Sequence, residues 1–167
     1  MRMKRLVPVL VLVAAIVVAL VLTVRGEEEP AAASVPRINV AHLDGSAEFA
    51  LADLADAPKP TLLWFWAPWC PICASEAPAV EELSRSGELR VIAIGGRDKI
   101  ANGPAFVERY GVKTPTILFD EPMAVWNHYE IPGQPAAVLL DREGRERGRW
   151  LGPFSNEDVL QAARELD

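Results

Sequence analysis

The hydrophobic residues of this 167-residue chain form one long apolar run near the amino terminus, followed by a series of short segments separated by polar residues. The long run covers residues 6–24 and follows Arg2, Lys4 and Arg5. As a helix it would span about 29 Å, which matches the roughly 30 Å hydrocarbon core of a bilayer. We therefore predict a signal anchor or transmembrane helix in residues 1–25, with a cleaved secretory signal as the alternative.

The charges around this run predict how the chain is oriented. Basic residues precede the run and Glu27, Glu28 and Glu29 follow it. Because positively charged flanks stay in the cytoplasm, the rest of the chain should lie on the extracytoplasmic side, or be secreted if the helix is cleaved. Residues 26–36 are acidic and then rich in Ala, Ser and Pro, which is typical of a linker. Residues 37–167 are long enough for one domain with its own core.

The short apolar segments of residues 37–167 alternate between strand-like and helix-like patterns. The predicted strands are TLLWFW, LRVIAIGG, TPTILFD, PAAVLLD and RERGRWLG, and a hairpin is expected around Asp44-Gly45. The predicted helices cover residues 70–84, 104–110, part of EPMAVWNHYEIPGQ, and SNEDVLQAAREL. The charged run DREGRERGR predicts a solvated hairpin. Strands that alternate with helices and end in a hairpin indicate an α/β fold with a mixed sheet.

Both cysteines lie in the segment WFWAPWCPIC, two residues apart, where a buried strand gives way to a helix. At the helix amino terminus, free N–H groups and the helix dipole would stabilise a thiolate on Cys70. Cys73 lies one turn further along, within reach to expel a mixed disulfide. The spacing therefore predicts a redox pair, with Cys70 as the exposed nucleophile and Cys73 as the resolving thiol.

The cysteines have two alternative uses, as metal ligands or as a permanent bridge. A structural zinc needs four ligands, and His42 and His128 lack the paired spacing of zinc modules. We expect no metal site and no cofactor beyond the redox-active disulfide, with a copper or zinc metallochaperone as the alternative. A second alternative is a binding domain whose cysteines stay permanently bridged. The net charge of −6 and the lack of a basic stripe argue against a nucleic-acid partner.

The segment LLWFWAPWCPICASEAP resembles the active-site segment of the thioredoxin-like disulfide oxidoreductases, in particular the membrane-anchored, extracytoplasmic TlpA/ResA/DsbE branch. The likeness includes the LDG hairpin, Pro78 five residues after the second cysteine, and the final strand, turn, strand and helix. It implies a thioredoxin fold, with a central mixed β-sheet flanked by helices, an N-terminal β-hairpin and an inserted strand-helix element.

The resemblance also implies a cis-proline opposite the cysteines, for which the chain offers two candidates. Pro115, in GVKTPTILF, matches the local signature of ordinary thioredoxin. Only Pro135, however, is followed by a strand, a turn, a strand and a helix. We therefore predict the cis-proline at Pro135, with Gln134 presenting backbone groups to a bound peptide.

Further site residues are expected close to the two cysteines. Glu76 matches a glutamate of many members of the branch and lies one turn beyond Cys73, where it could exchange a proton with that thiol. The alternative is an exposed glutamate that only favours the helix dipole. Trp69, Pro71 and Ile72 are expected to line the substrate surface.

Together these features predict an extracytoplasmic thiol-disulfide oxidoreductase that forms, reduces or exchanges disulfides in exported proteins. Its partners would be protein thiols or disulfides and a membrane redox protein that recycles the pair. The branch contains oxidases of secreted proteins, found especially in high-GC Gram-positive bacteria, and reductases that serve cytochrome c maturation. The Ala-, Val-, Arg- and Glu-rich composition is typical of such genomes and favours the oxidase, with the reductase as the alternative.

Overall fold

The computed structural model describes residues 37–166, so the predicted membrane segment and linker lie outside the described residues. The strands are β1 (Asn39–His42), β2 (Phe49–Ala50), β3 (Thr61–Trp66), β4 (Arg90–Gly95), β5 (Thr116–Phe119), β6 (Ala136–Leu140) and β7 (Glu146–Leu151). The helices are α1 (Pro71–Ser86), α2 (Gly103–Tyr110), α3 (Ala124–His128) and α4 (Asn156–Arg164). Within residues 37–166, no helix has the length and hydropathy of a membrane span.

The strands form one mixed sheet in the order β2-β1-β5-β4-β3-β6-β7. The three central strands β5, β4 and β3 are parallel, while β6 runs antiparallel to β3 and β7 antiparallel to β6. At the other edge β1 and β2 form the predicted hairpin, and β1 pairs with β5. The segment β5-α3 is inserted between β4 and the terminal hairpin. The predicted thioredoxin fold, with its hairpin and its inserted strand and helix, is confirmed.

Strand β3 carries the core on both of its faces, and all six of its residues are buried. Trp64 and Trp66 belong to the core cluster on one side of the sheet, while Leu63 and Phe65 belong to the cluster on the other side. The Trp66 ring stacks on Phe106 of α2 with ring centroids 4.5 Å apart. A continuous apolar strand is what a sheet covered on both faces requires, and the predicted buried strand is confirmed.

Helix α1 starts where the chain leaves β3. Cys70 is its N-cap residue and Pro71 occupies the first turn, where a missing N–H costs no helical hydrogen bond. Gly87 ends the helix in the left-handed conformation, with φ of 69°. The helix buries Ala77, Val80 and Leu83, which is the predicted apolar face.

The turn between β6 and β7 is organised by Asp141. Its Oδ1 accepts hydrogen bonds from the backbone N–H groups of Glu143 and Arg145, and its Oδ2 accepts from the Arg145 and Arg147 side chains at 2.9 and 2.7 Å. The hairpin is as predicted and most of its charged residues are exposed as expected, but Asp141 itself is buried, with only 4% of its surface exposed. Burial alone would raise the pKa of Asp141, and the hydrogen bonds from Arg145 and Arg147 instead lower it to about 2.

We expect the substitution Asp141→Asn to lower the free energy of unfolding at pH 7 by about 1 to 2 kcal/mol, because two charge-assisted bonds from half-exposed arginines are lost. The lowered pKa means that the wild-type advantage is present above the ordinary value of 3.8 and is lost as pH falls toward about 2. Urea unfolding of both proteins between pH 7 and pH 2 measures how the difference between their free energies of unfolding decreases. Glu143→Gln, on the exposed side of the same turn, is the control and should change little.

Candidate active site

The cysteine pair lies at the carboxyl end of β3 and is joined in a disulfide, with the two Cα atoms 5.3 Å apart. The Cys70 N–H donates to the Ala67 carbonyl at 3.1 Å and closes the turn that leads into α1. The Cys70 Sγ accepts a hydrogen bond of 3.1 Å from the Cys73 N–H. The first sulfur therefore caps the helix, as the sequence predicts.

The two cysteine residues differ less in exposure than expected. Cys70 is 4% exposed and Cys73 is fully buried. The order of accessibility agrees with the prediction, but the expectation of an exposed Cys70 is wrong in this disulfide state. Most of the Cys70 residue is therefore covered in the folded domain.

An apolar rim surrounds the approach to Cys70. Trp69 is 57% exposed and Ile72 is 48% exposed, and Pro71 between the cysteines is also exposed. The Trp69 indole N–H donates to the Arg97 carbonyl at 3.1 Å, which fixes the orientation of its ring. Large apolar side chains held in contact with water are typical of surfaces that bind another molecule.

The Gln134–Pro135 peptide bond is cis and is the only cis bond within the described residues, so the preference for Pro135 over Pro115 is confirmed for the peptide geometry. The β3–β6 register pairs Phe65 with Ala136, and continuing it places Pro135 beside the turn that leads into Cys70. The Gln134 side-chain oxygen is buried and has no hydrogen-bond partner among residues 37–166. The structure thus brings together two segments that are far apart in sequence.

Glu76 is a buried carboxyl, only 6% exposed, so the alternative of an exposed glutamate is wrong. Its Oε2 accepts from the Trp64 indole N–H at 2.7 Å, and its Oε1 accepts from the Phe154 N–H at 3.1 Å. Burial raises the pKa of Glu76, and the hydrogen bonds from Trp64 and Phe154 oppose this only in part. A carboxyl with a raised pKa, one turn beyond Cys73 in α1, is suited to holding or moving a proton.

Sequence reasoning missed two residues near this site. Leu151 is 61% exposed and pairs with Ala136, next to the cis-proline. Arg97 follows β4 in the left-handed conformation, with φ of 56°, and contacts segments on two sides of the cysteines. A simple periodic pattern identifies neither of them, since both lie at strand ends where the alternation stops.

The two histidines do not extend the cysteine site. His42 lies on β1 with its ring 6.1 Å from that of Phe49, and His128 ends α3 beside Tyr129. No group of three or more His, Cys, Asp or Glu side chains suited to hold a metal occurs among residues 37–166.

A disulfide at the start of a helix, directly after a buried strand and beside a cis-proline, defines the class of thioredoxin-fold thiol-disulfide oxidoreductases. The chain belongs to the AhpC/TSA family, whose model matches residues 31–147. The resemblance to the TlpA/ResA/DsbE branch is confirmed by named relatives, and the protein is a thiol-disulfide oxidoreductase.

Two of these relatives and one solved structure show the extent of the likeness. The soluble secreted antigen MPT53 of Mycobacterium tuberculosis is 32% identical over 121 residues, which cover 67% of this chain and 68% of the relative. The thiol:disulfide interchange protein DsbE of Escherichia coli is 30% identical over 121 residues, covering 72% and 65%. The structure of dsbF of Mycobacterium tuberculosis is similar with a TM-score of 0.72 and 34% identity, covering 80% of this chain and 99% of that one.

The raised pKa of Glu76 predicts how the effect of the substitution Glu76→Gln on stability changes with pH. At pH 4 the variant should be less stable than the wild type by about 1 kcal/mol, because the amide nitrogen cannot accept one of the two hydrogen bonds. The wild type loses stability as pH rises through the raised pKa, since a charge must then be buried. The deficit of the variant should therefore shrink, or reverse, toward pH 8.

Urea unfolding at pH 4, 6 and 8 measures this difference. The exposed Glu82 on the same helix gives the matched control Glu82→Gln, which should change the free energy of unfolding little. A deficit of Glu76→Gln that is constant or grows with pH would contradict the prediction.

Proposed function

We propose that this oxidoreductase exchanges disulfides with extracytoplasmic proteins, with Cys70 as the sulfur that reacts with substrate and Cys73 as the resolving thiol. The observation that carries the assignment is the position of the Cys70 Sγ at the amino terminus of α1, where it accepts the Cys73 N–H. The same hydrogen bond and the helix dipole would stabilise a thiolate on Cys70. Cys73 is fully buried and can be reached only by its partner.

The chemistry follows from this assignment. In the oxidising direction a substrate thiolate attacks the Cys70 sulfur, the Cys70–Cys73 bond breaks, and the electron pair leaves on Cys73, which takes up a proton. A second substrate thiolate then attacks the substrate sulfur of the mixed disulfide and releases Cys70 as a thiolate. Two electrons pass from the substrate to the pair, and the substrate gains one disulfide.

The substrate segment would lie in the cleft between the apolar rim and the cis-proline. Trp69, Pro71 and Ile72 supply apolar contact on one side, and all three are exposed. On the other side Gln134 and Pro135 present an end of β6 to which an extended segment could add by strand-like pairing. This arrangement favours unfolded or flexible polypeptides as substrates.

Glu76 would act on the buried thiol. When the disulfide opens, Cys73 leaves as a thiolate inside the core, where a charge is costly. The Glu76 carboxyl lies one turn away on the same helix and has a raised pKa, so it is suited to supply that proton and to take it back when the disulfide reforms.

The proposals for the location of the protein and for its recycling partner are based on the sequence and on the named relatives. The apolar run of residues 6–24 would anchor the domain in the membrane or direct its export. MPT53 is described as soluble and secreted, and a solved relative from Mycobacterium tuberculosis as a secreted disulfide oxidoreductase. No further cofactor is needed, but each turnover leaves the pair reduced, so a membrane redox protein would remove the two electrons.

For the direction of electron flow we propose oxidation of substrate thiols, with reduction as the alternative. A pair becomes more oxidising when its reduced form is stabilised. The free N–H groups at the start of the 16-residue helix α1 stabilise the Cys70 thiolate, and only the reduced form has that thiolate.

The roles of the two cysteines are tested by trapping. Cys73→Ser keeps the reactive Cys70 but has no resolving thiol, so its mixed disulfide with a disulfide-containing peptide should accumulate on a nonreducing gel. Cys70→Ser is the matched control and should trap little, because Cys73 is buried. Equal trapping by both variants, or by neither, would contradict the assignment.

The direction is tested by the reduction potential of the Cys70–Cys73 pair, measured by equilibration with glutathione. We expect a value near the oxidant end of the thioredoxin-fold range, about −120 mV. A value of about −270 mV would instead assign the protein to disulfide reduction.

A further inference from the structure

Arg97 connects three segments around the active site although it belongs to no helix or strand. It lies two residues after β4, is exposed, and has a φ of 56°. Its carbonyl oxygen accepts the Trp69 indole N–H at 3.1 Å, and its own N–H donates to the Met123 Sδ at 3.3 Å. The backbone of this residue thus holds the ring that stands next to Cys70.

The side chain of Arg97 reaches the segment that leads to the cis-proline, on the other side of the proposed cleft. Its Nη2 donates to the Pro132 carbonyl at 2.7 Å, three residues before the cis-proline. Its guanidinium also lies over the ring of Trp126, 5.3 Å from the ring centroid, and Trp126 is almost fully buried. A hydrogen bond from a charged donor and a cation–π contact together fix the guanidinium.

The backbone of Arg97 is held in a conformation that favours glycine. An L-residue in the left-handed region costs free energy, which the surrounding contacts must offset. The neighbouring Gly96 has no room for a side chain, since a Cβ there would lie 2.5 Å from the Trp126 indole nitrogen. A glycine at position 97 would relieve the backbone strain. It would also remove the hydrogen bond to the Pro132 carbonyl, which among the described residues is the only hydrogen bond between this segment and Pro132.

We propose that Arg97 is a positioning residue for disulfide exchange with polypeptides. It holds Trp69 through its backbone and the Pro132–Pro135 segment through its side chain, so that an extended substrate meets both walls of the cleft in one fixed geometry. A small dithiol contacts the sulfur alone and has no need of that geometry. The inference rests on the proposed function and adds to it a preference for polypeptides over small thiols.

The test compares Arg97→Gly with the wild type, both in the oxidised form. Two reductants are used: a ten-residue peptide with two cysteine thiols, and dithiothreitol. We expect the apparent KM for the peptide to rise about tenfold, which corresponds to about 1.4 kcal/mol and to the loss of one hydrogen bond from a charged donor. The maximal rate with the peptide and the second-order rate constant with dithiothreitol should stay within about twofold of the wild-type values. Such a change corresponds to less free energy than one net hydrogen bond contributes.

Two further variants separate positioning from folding. Asp56→Gly is the matched control, because Asp56 is exposed, has a φ of 57°, and precedes β3 at the end of the strand away from the cysteines. It should leave both reactions unchanged. Arg97→Lys keeps a donor that can reach the Pro132 carbonyl but has no planar group to stack on Trp126, so it should recover part of the peptide KM.

The outcomes distinguish this inference from the proposed function. A peptide KM that does not change in Arg97→Gly would overturn the role of Arg97. A loss of rate with dithiothreitol as large as that with the peptide would also overturn it, since the sulfur chemistry itself would then be damaged. A wild-type protein that oxidises neither reductant would overturn the proposed function, and the inference with it.

Discussion

The burial of β3 on both of its faces is the constraint from which the site follows. One face supplies Trp64 and Trp66 to one core cluster, and the other supplies Leu63 and Phe65 to the second. Because side chains alternate along a strand, a shift of the register by one residue would exchange the two sets and disrupt both clusters at once. The strand therefore ends at a fixed point, and the turn that carries Cys70 starts there.

Helix α1 transmits this fixed position to the reacting sulfurs. Cys70 caps the helix and Cys73 is buried one turn along it, so the same packing that holds Ala77, Val80 and Leu83 in the core holds the disulfide in place. The core packing of α1 is therefore sufficient to position the two cysteines. The buried Glu76 carboxylate of this site is satisfied by hydrogen bonds from a core tryptophan and from the chain before α4.

Much of this could be predicted from the sequence because the signals are local. The buried strand TLLWFW, the Cys-x-x-Cys spacing and the N-terminal hairpin each depend on residues that are near one another in the chain. The choice of Pro135 over Pro115 was less local, yet it followed from the order of the elements after each proline. The exposed Cys70 was predicted wrongly, because its coverage depends on how the neighbouring loops pack around the turn.

The sequence by itself determined the redox pair, the class of fold and the elements that carry the cysteines, because helix and strand periodicity and the chemistry of paired thiols act over short stretches of chain. Only the tertiary structure decided which groups surround that pair. The Trp69–Arg97 hydrogen bond joins residues 28 apart, the Arg97–Pro132 bond residues 35 apart, and the Phe154–Glu76 bond residues 78 apart. Contacts at such separations leave no periodic trace in the sequence, since they form only after the sheet has brought the strand ends together.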